Sequence, residues 1–164
     1  MKRNGIVFTG PGKAELVEEE IAGPKAGEVL VRLARSCISS GTARANVTGV
    51  PDAGVGIFAT GEGVTWPRRC GYSSSGVVEA LGGGVEGLAV GDRVALSWSV
   101  HADRVVLPSA QVYRLPENVS FEDAAWTHIA TFPMAAIRKC RLEMGEGALG
   151  MGQGVLGQLA GKLL

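Results

Sequence analysis

Hydrophobic residues recur at every second position in short runs, each closed by glycine, proline or a charged turn. Val29, Val31 and Leu33 alternate with Leu30 and Arg32, and 76–81, 92–96 and 104–107 read the same way. This two-residue period predicts strands, since successive side chains of an extended chain point to opposite faces. Gly82-Gly83-Gly84, Gly91-Asp92 and Pro108 punctuate the runs, so a mainly β fold is expected, a partly closed barrel from about Gly5 to Leu115. The pattern changes at Ser120. Ser120-Phe121-Glu122-Asp123 has the form of a helix cap, and Ala124, Ala125, Ile129, Ala135, Ala136 and Ile137 supply helix-compatible apolar positions as far as Cys140. Pro133 is expected to kink or divide that helix, because it lacks an amide donor and its ring clashes with the preceding turn.

A chain of 164 residues fits one domain, or one domain plus a fragment. Its 16 basic and 16 acidic residues cancel, so nothing in the charge balance draws it to nucleic acid or to an anionic membrane. Apolar stretches fall far short of the roughly 20 residues that span a bilayer, and Met1 to Gly5 lead into no signal-peptide core. A cytoplasmic location is the expectation. Cys37, Cys70 and Cys140 are odd in number and far apart, which fits reduced thiols better than a disulfide framework or a metal knuckle. The 25 glycines are spread along the chain, as suits many tight turns.

One glycine cluster carries chemistry. Gly152, Gly154 and Gly157 form G-x-G-x-x-G after a short apolar stretch and before a potential helix. In that context glycines let backbone amides approach a pyrophosphate. A complete βαβ unit takes roughly 30 residues, with a residue about 20 positions further on selecting NAD or NADP. Here the sequence ends at Leu164, so the expectation is a truncated unit that binds the cofactor poorly and lacks dehydrogenase activity by itself. Gly150 and Gly161 place flexible residues in its first strand and helix, each costing about 1 kcal/mol relative to alanine.

Five blocks in order carry a resemblance: 27–32, 71–78, 90–94, 115–125 and the glycine motif together resemble the medium-chain alcohol dehydrogenases. The resemblance covers nearly the whole chain. It implies a GroES-like catalytic domain over 1–119, a connecting helix region over 120–144 and the start of an NAD(P)-binding Rossmann domain over 145–164. Small-molecule substrate and nicotinamide would meet in the cleft between the two domains. Homo-oligomerisation is left open.

The departures from the family pattern direct the chemistry. A catalytic zinc needs three protein ligands and an open position. At the matched positions this chain has Ser40, Tyr72 and Thr127, none of them a usual zinc ligand, and the lobe of four cysteines that holds structural zinc is missing. Cys37 stands three positions before Ser40, where strand alternation directs it differently. No metal is therefore expected. Ile38-Ser39-Ser40-Gly41-Thr42 and Gly71-Tyr72-Ser73 resemble a zinc-free branch that includes bacteriochlorophyllide dehydrogenase-like proteins. Without a Lewis acid, substrate oxygen must be polarised by hydrogen bonds in a dry cleft. Thr42, at a proton-relay position of the family, Tyr72, in place of the zinc histidine, and Ser40 are the catalytic candidates. The family's relay histidine is matched by Ala45. Thr131 matches a position that touches the nicotinamide ring and joins Gly152, Gly154 and Gly157 as cofactor-binding candidates.

Other readings stand beside these. Ser40 and Thr42 could cap a short helix over 43–47, and Tyr72 could fill a core edge. Of the two histidines, His101 is read as a structural residue that begins a strand, and His128 as the better acid–base candidate because it faces the cleft. Trp66, Trp98 and Trp126 are read either as lining the cleft or as core, with core packing preferred. The alternative function is a non-catalytic GroES-like binding or assembly module. A co-chaperonin is not indicated, since Val50 to Trp66 do not resemble that family's mobile loop.

Overall fold

The computed structural model describes residues 1–49, 65–143 and 145–164, so most of the stretch from Val50 to Trp66 lies outside the described residues. Strands β1 (Lys2–Gly10) and β2 (Lys13–Glu20) form an antiparallel hairpin, and the pairs Lys2–Glu18 and Arg3–Glu19 join its faces at 2.7 and 2.8 Å. Strands β3 (Glu28–Ser36), β4 (Ser73–Leu81), β5 (Arg93–Ser97), β6 (Arg104–Pro108) and β7 (Val112–Arg114) make a second, antiparallel sheet in the order β6-β3-β4-β5-β7. The bridges Gly5–Ala102 and Phe8–Arg68 tie the hairpin to loops of the larger sheet. This is the expected partly closed barrel, and among the described residues no ladder joins β6 to β7.

Valines dominate the interior. Val29, Val31, Val78, Val94, Leu96, Val105 and Val112 pack as one cluster, as β-branched residues do on a pleated, buried face. The strict alternation expected of β3 does not hold, because Val29, Leu30 and Val31 are all buried. A register shift against β4 between Leu30 and Val31 interrupts the two-residue period there. His101 does not begin a strand either. It sits buried in the loop before β6, its Nδ1 3.0 Å from the Ser36 hydroxyl, and burial lowers its pKa.

Helix α1 (Ser40–Thr48) is longer than the expected 43–47, and Ser39 occupies its N-cap position, so neither Ser40 nor Thr42 is the cap. Ser120 does cap α2 (Phe121–Ala124), accepting the Asp123 amide at 3.0 Å and donating to its carboxylate at 2.7 Å. A break in the helical region comes at Ala125–Trp126, and α3 (Thr127–Cys140) continues through Pro133 without being divided there. The cause of the break is a side chain from the sheet. The Ser73 hydroxyl donates to the Ala125 carbonyl at 2.6 Å and accepts the Ile129 amide at 3.4 Å, standing where those two groups would otherwise bond each other.

The glycine segment forms no strand before its helix, and Leu149 and Met151 are more than nine-tenths exposed. A parallel strand is stable only beside its neighbours, and none is present among the described residues. The helix itself does form: α4 (Val155–Leu163), with Gly161 inside it, lies against α3. Among the described residues no helix is long and apolar enough to cross a membrane.

Candidate functional site

Tyr72 precedes β4 at the rim of the sheet, and its position depends on Gly71. That glycine has φ +128°, and a Cβ there would lie 2.9 Å from the His101 amide nitrogen. Any side chain would both strain the backbone and collide with the His101 loop. Trp98, just past β5, also has a left-handed backbone (φ 57°), a conformation that costs a non-glycine residue roughly 1–2 kcal/mol. Its amide donates to the Tyr72 carbonyl at 2.8 Å, which fixes the two residues side by side.

Helix α3 supplies the remaining rings. His128 lies 5.9 Å from Tyr72 and 4.9 Å from Trp98 between ring centroids, and Phe132, one turn on, lies 6.0 Å from Tyr72 and 5.7 Å from His128. All four pairs meet edge to face, the arrangement that the aromatic quadrupole favours. Trp98 and Phe132 remain 60% and 43% exposed, so of the two readings of Trp98 it is core packing that fails, and an aromatic wall faces outward. Trp126 is likewise 40% exposed.

Within this wall the His128 Nε2 is buried and has no hydrogen-bond partner. Desolvation lowers the pKa of the ring and so favours its neutral form. Leaving such an atom unpaired costs about 1–3 kcal/mol, and among the described residues the Thr9 hydroxyl is the other buried side-chain group left so.

Three serines of β4 place the helix. The Ser73 and Ser75 hydroxyls donate to the carbonyls of Ala125 and Phe121, both at 2.6 Å, and the buried Ser74 hydroxyl meets that of Ser99 at 2.6 Å. The α2–α3 corner is thereby pinned to the sheet, and His128 with it.

The remaining candidates are distributed unevenly. Thr131 is on α3 beside Phe132, but its hydroxyl is donated to the His128 carbonyl at 2.6 Å. Thr42 lies on α1, its hydroxyl 3.4 Å from that of Ser39. Ser40 is exposed on the same helix, and Thr127, the third position matched to zinc ligation, is exposed at the start of α3. Among the described residues no hydrogen bond or ring contact links Thr42 or Ser40 to the aromatic group, and none engages the Tyr72 hydroxyl. Nor does any group of three His, Cys, Asp or Glu side chains there suit a metal ion. Phe132 and the serine ties escaped the sequence reading, since alternation marks which residues face a core and not which rings meet across a fold.

The glycine motif has the local shape of a phosphate turn. Gly152 has φ +90°, Gly154 is the N-cap of α4, and a Cβ on Gly157 would stand 1.9 Å from the Gly152 carbonyl oxygen. Only glycine permits that approach, and the fit to a pyrophosphate at a helix N-terminus is good at this turn. The strand that would orient it is not formed.

Comparison with known proteins bears on the family and the fold. The sequence pattern of the alcohol dehydrogenase GroES-like domain matches residues 25–117. The human synaptic vesicle membrane protein VAT-1 homolog-like is 30% identical over 133 residues, covering 77% of this chain and 27% of that protein. Its crystal structure superposes with a TM-score of 0.78 at 25% identity, over 99% of this chain and 52% of that one. D-xylulose reductase of Saccharomyces cerevisiae is 26% identical over 198 residues, 98% of this chain and 52% of the enzyme. A short chain alcohol dehydrogenase of E. coli, solved with cofactor NADH, shares the fold at TM-score 0.73 and 23% identity, over 97% of this chain and 52% of that one. The chain thus spans between a quarter and about half the length of these relatives.

Proposed function

We propose that this chain, which belongs to the alcohol dehydrogenase GroES-like domain family, is the substrate-side domain of a zinc-independent, NAD(P)-dependent oxidoreductase acting on a small alcohol or carbonyl compound. The observation that carries the reading is Tyr72. It stands at the position that the sequence resemblance matches to the family's zinc histidine, carries a hydroxyl that no described residue engages, and its ring lies 5.9 Å from the half-buried imidazole of His128, whose Nε2 has no hydrogen-bond partner. When bound, the nicotinamide supplies or takes the hydride. The protein's part is to hold the substrate oxygen. Tyr72 donates a hydrogen bond to it from the rim of β4, beside the rings of Trp98 and Phe132, and Thr42 provides a second hydroxyl from α1. Gly152, Gly154 and Gly157 would hold the pyrophosphate and Thr131 would lie beside the nicotinamide ring.

Serine, tyrosine and threonine do not make a zinc site, so turnover in the protein of full native length should survive exhaustive chelation. Elemental analysis after exposure to excess zinc should find well under one equivalent. One tightly held equivalent, or activity abolished by chelation and restored by zinc, would refute the zinc-independent reading.

A second expectation concerns the 164-residue chain alone. With no strand ahead of the glycine turn and no ribose-selecting residue, it should bind NADH and NADPH more weakly than micromolar and show no dehydrogenase turnover. Titration calorimetry checks this; a micromolar Kd, about −8 kcal/mol, is the contrary result.

A further inference from the structure

We propose that His101 is an acid-operated latch: protonating its ring frees the β1–β2 hairpin from the larger sheet while the sheet keeps its own ladders. The geometry of the junction carries this. No ladder among the described residues joins the hairpin to the sheet; the isolated bridges Gly5–Ala102 and Phe8–Arg68 hold it there, with the Arg69–Glu19 ion pair. The first bridge runs through the loop of His101, Ala102 and Asp103. In it the Ile6 amide donates to the His101 carbonyl at 2.8 Å, the Asp103 amide to the Asn4 carbonyl at 2.9 Å, and the Asn4 amide to the Asp103 carboxylate at 2.9 Å. The second bridge is coupled to the same residue, because the His101 amide donates at 3.1 Å to the carbonyl of Cys70, which follows Arg68 and Arg69.

The ring is the part of this loop that acid changes. It is 7% exposed, and among the described residues its one side-chain hydrogen bond joins Nδ1 to the Ser36 hydroxyl at the end of β3. Burial is the sole cause of its lowered pKa, so no neighbouring carboxylate offsets the charge of an imidazolium there. The titratable and charged groups on the elements around it are Cys37 beside Ser36, Arg68 and Cys70 ahead of β4, Arg3 of β1, and Asp103. Burial raises both thiols, which stay uncharged near neutral pH; Arg3 is paired with Glu19 and Arg68 stands over the Trp66 ring. Burial alone would raise the Asp103 carboxyl, but its hydrogen bonds from Asn4 and the nearby Arg104 bring it below its ordinary 3.8, so it stays ionised where His101 titrates. The neutral His101 ring therefore contributes stability above its ordinary value of 6.5, and that contribution is lost as pH falls below it. Opening follows at the hairpin, whose ties to the sheet are these few bonds, whereas β3, β4 and β5 are joined by ladders.

Amide hydrogen exchange of the chain itself, read as protection factors at about pH 7.5 and about pH 5, tests the latch. The Asn4 and Ile6 amides should lose protection by about tenfold for each pH unit between 6.5 and the folded ring's own pKa, while amides of β4 and β5 keep theirs. His101→Gln, whose side chain does not titrate, should hold the hairpin equally at both pH values, and His128→Gln should open as the wild type does. Unchanged hairpin protection in the wild type, or equal loss across hairpin and sheet, overturns the proposal. So does acid opening that persists in His101→Gln or vanishes in His128→Gln. The ring resonances of His101 in the wild type decide without any variant: a midpoint below 6.5 that coincides with hairpin opening is expected, and a midpoint at or above 6.5 overturns the latch.

Discussion

Tyr72→Phe, which removes one oxygen and keeps every ring contact, should lower kcat in the protein of full native length by about 10²- to 10³-fold. That corresponds to a barrier higher by roughly 2.7–4 kcal/mol, the usual result of deleting one donor to a developing oxyanion. The ring sits among Trp98, His128 and Phe132 at centroid distances of 5.9 to 6.4 Å, and phenylalanine reproduces that packing. Steady-state kinetics and thermal melts of the same preparation separate the two roles. A donor role predicts a fall in kcat with Tm nearly unchanged, whereas wild-type turnover would leave Tyr72 as packing. Thr42→Val should act in the same direction, since its hydroxyl meets only the Ser39 hydroxyl at 3.4 Å.

Leu96→Ala should cost about 2–5 kcal/mol of folding stability. Leu96 is 1% exposed at the centre of the valine cluster, on a strand paired on both sides, so the cavity left behind has little room to collapse. At roughly 2–4 °C per kcal/mol for a chain of this size, Tm should fall by about 10 °C. Leu16→Ala is the matched control: Leu16 is 74% exposed on β2, and its replacement should change stability by no more than about 0.5 kcal/mol. Similar melting temperatures for the two variants would contradict this account of the core.

Where short-range pattern and tertiary contact agree, the sequence was legible. The strands from β3 to β6, the Ser120 cap and the glycine turn all follow from spacing within a few residues. Departures come where a distant group intervenes. No helix rule places a break at Ala125, because the Ser73 hydroxyl that makes it lies 52 residues earlier in the chain. Pro133 does not divide α3, which continues past it to Cys140. Core packing, the preferred reading of Trp98, does not hold, since with its left-handed backbone the residue sets its ring against His128 at the sheet rim. Likewise the apolar run before Gly152 has a strand's composition without a strand's neighbours.

The Ser73 bridge means that the beginning of α3 belongs, in stability, to the sheet. Helix ends ordinarily fray, but here the first-turn amide of Ile129 and the carbonyl of Ala125 share an oxygen carried by a fully buried strand residue. Opening that turn means breaking into β4, so it should open with the sheet's cooperative unit and not as a separate local event. At its other end the helix finishes in the exposed residues Arg138, Lys139 and Cys140. His128, one residue into α3, therefore sits at the end that inherits the rigidity of the barrel.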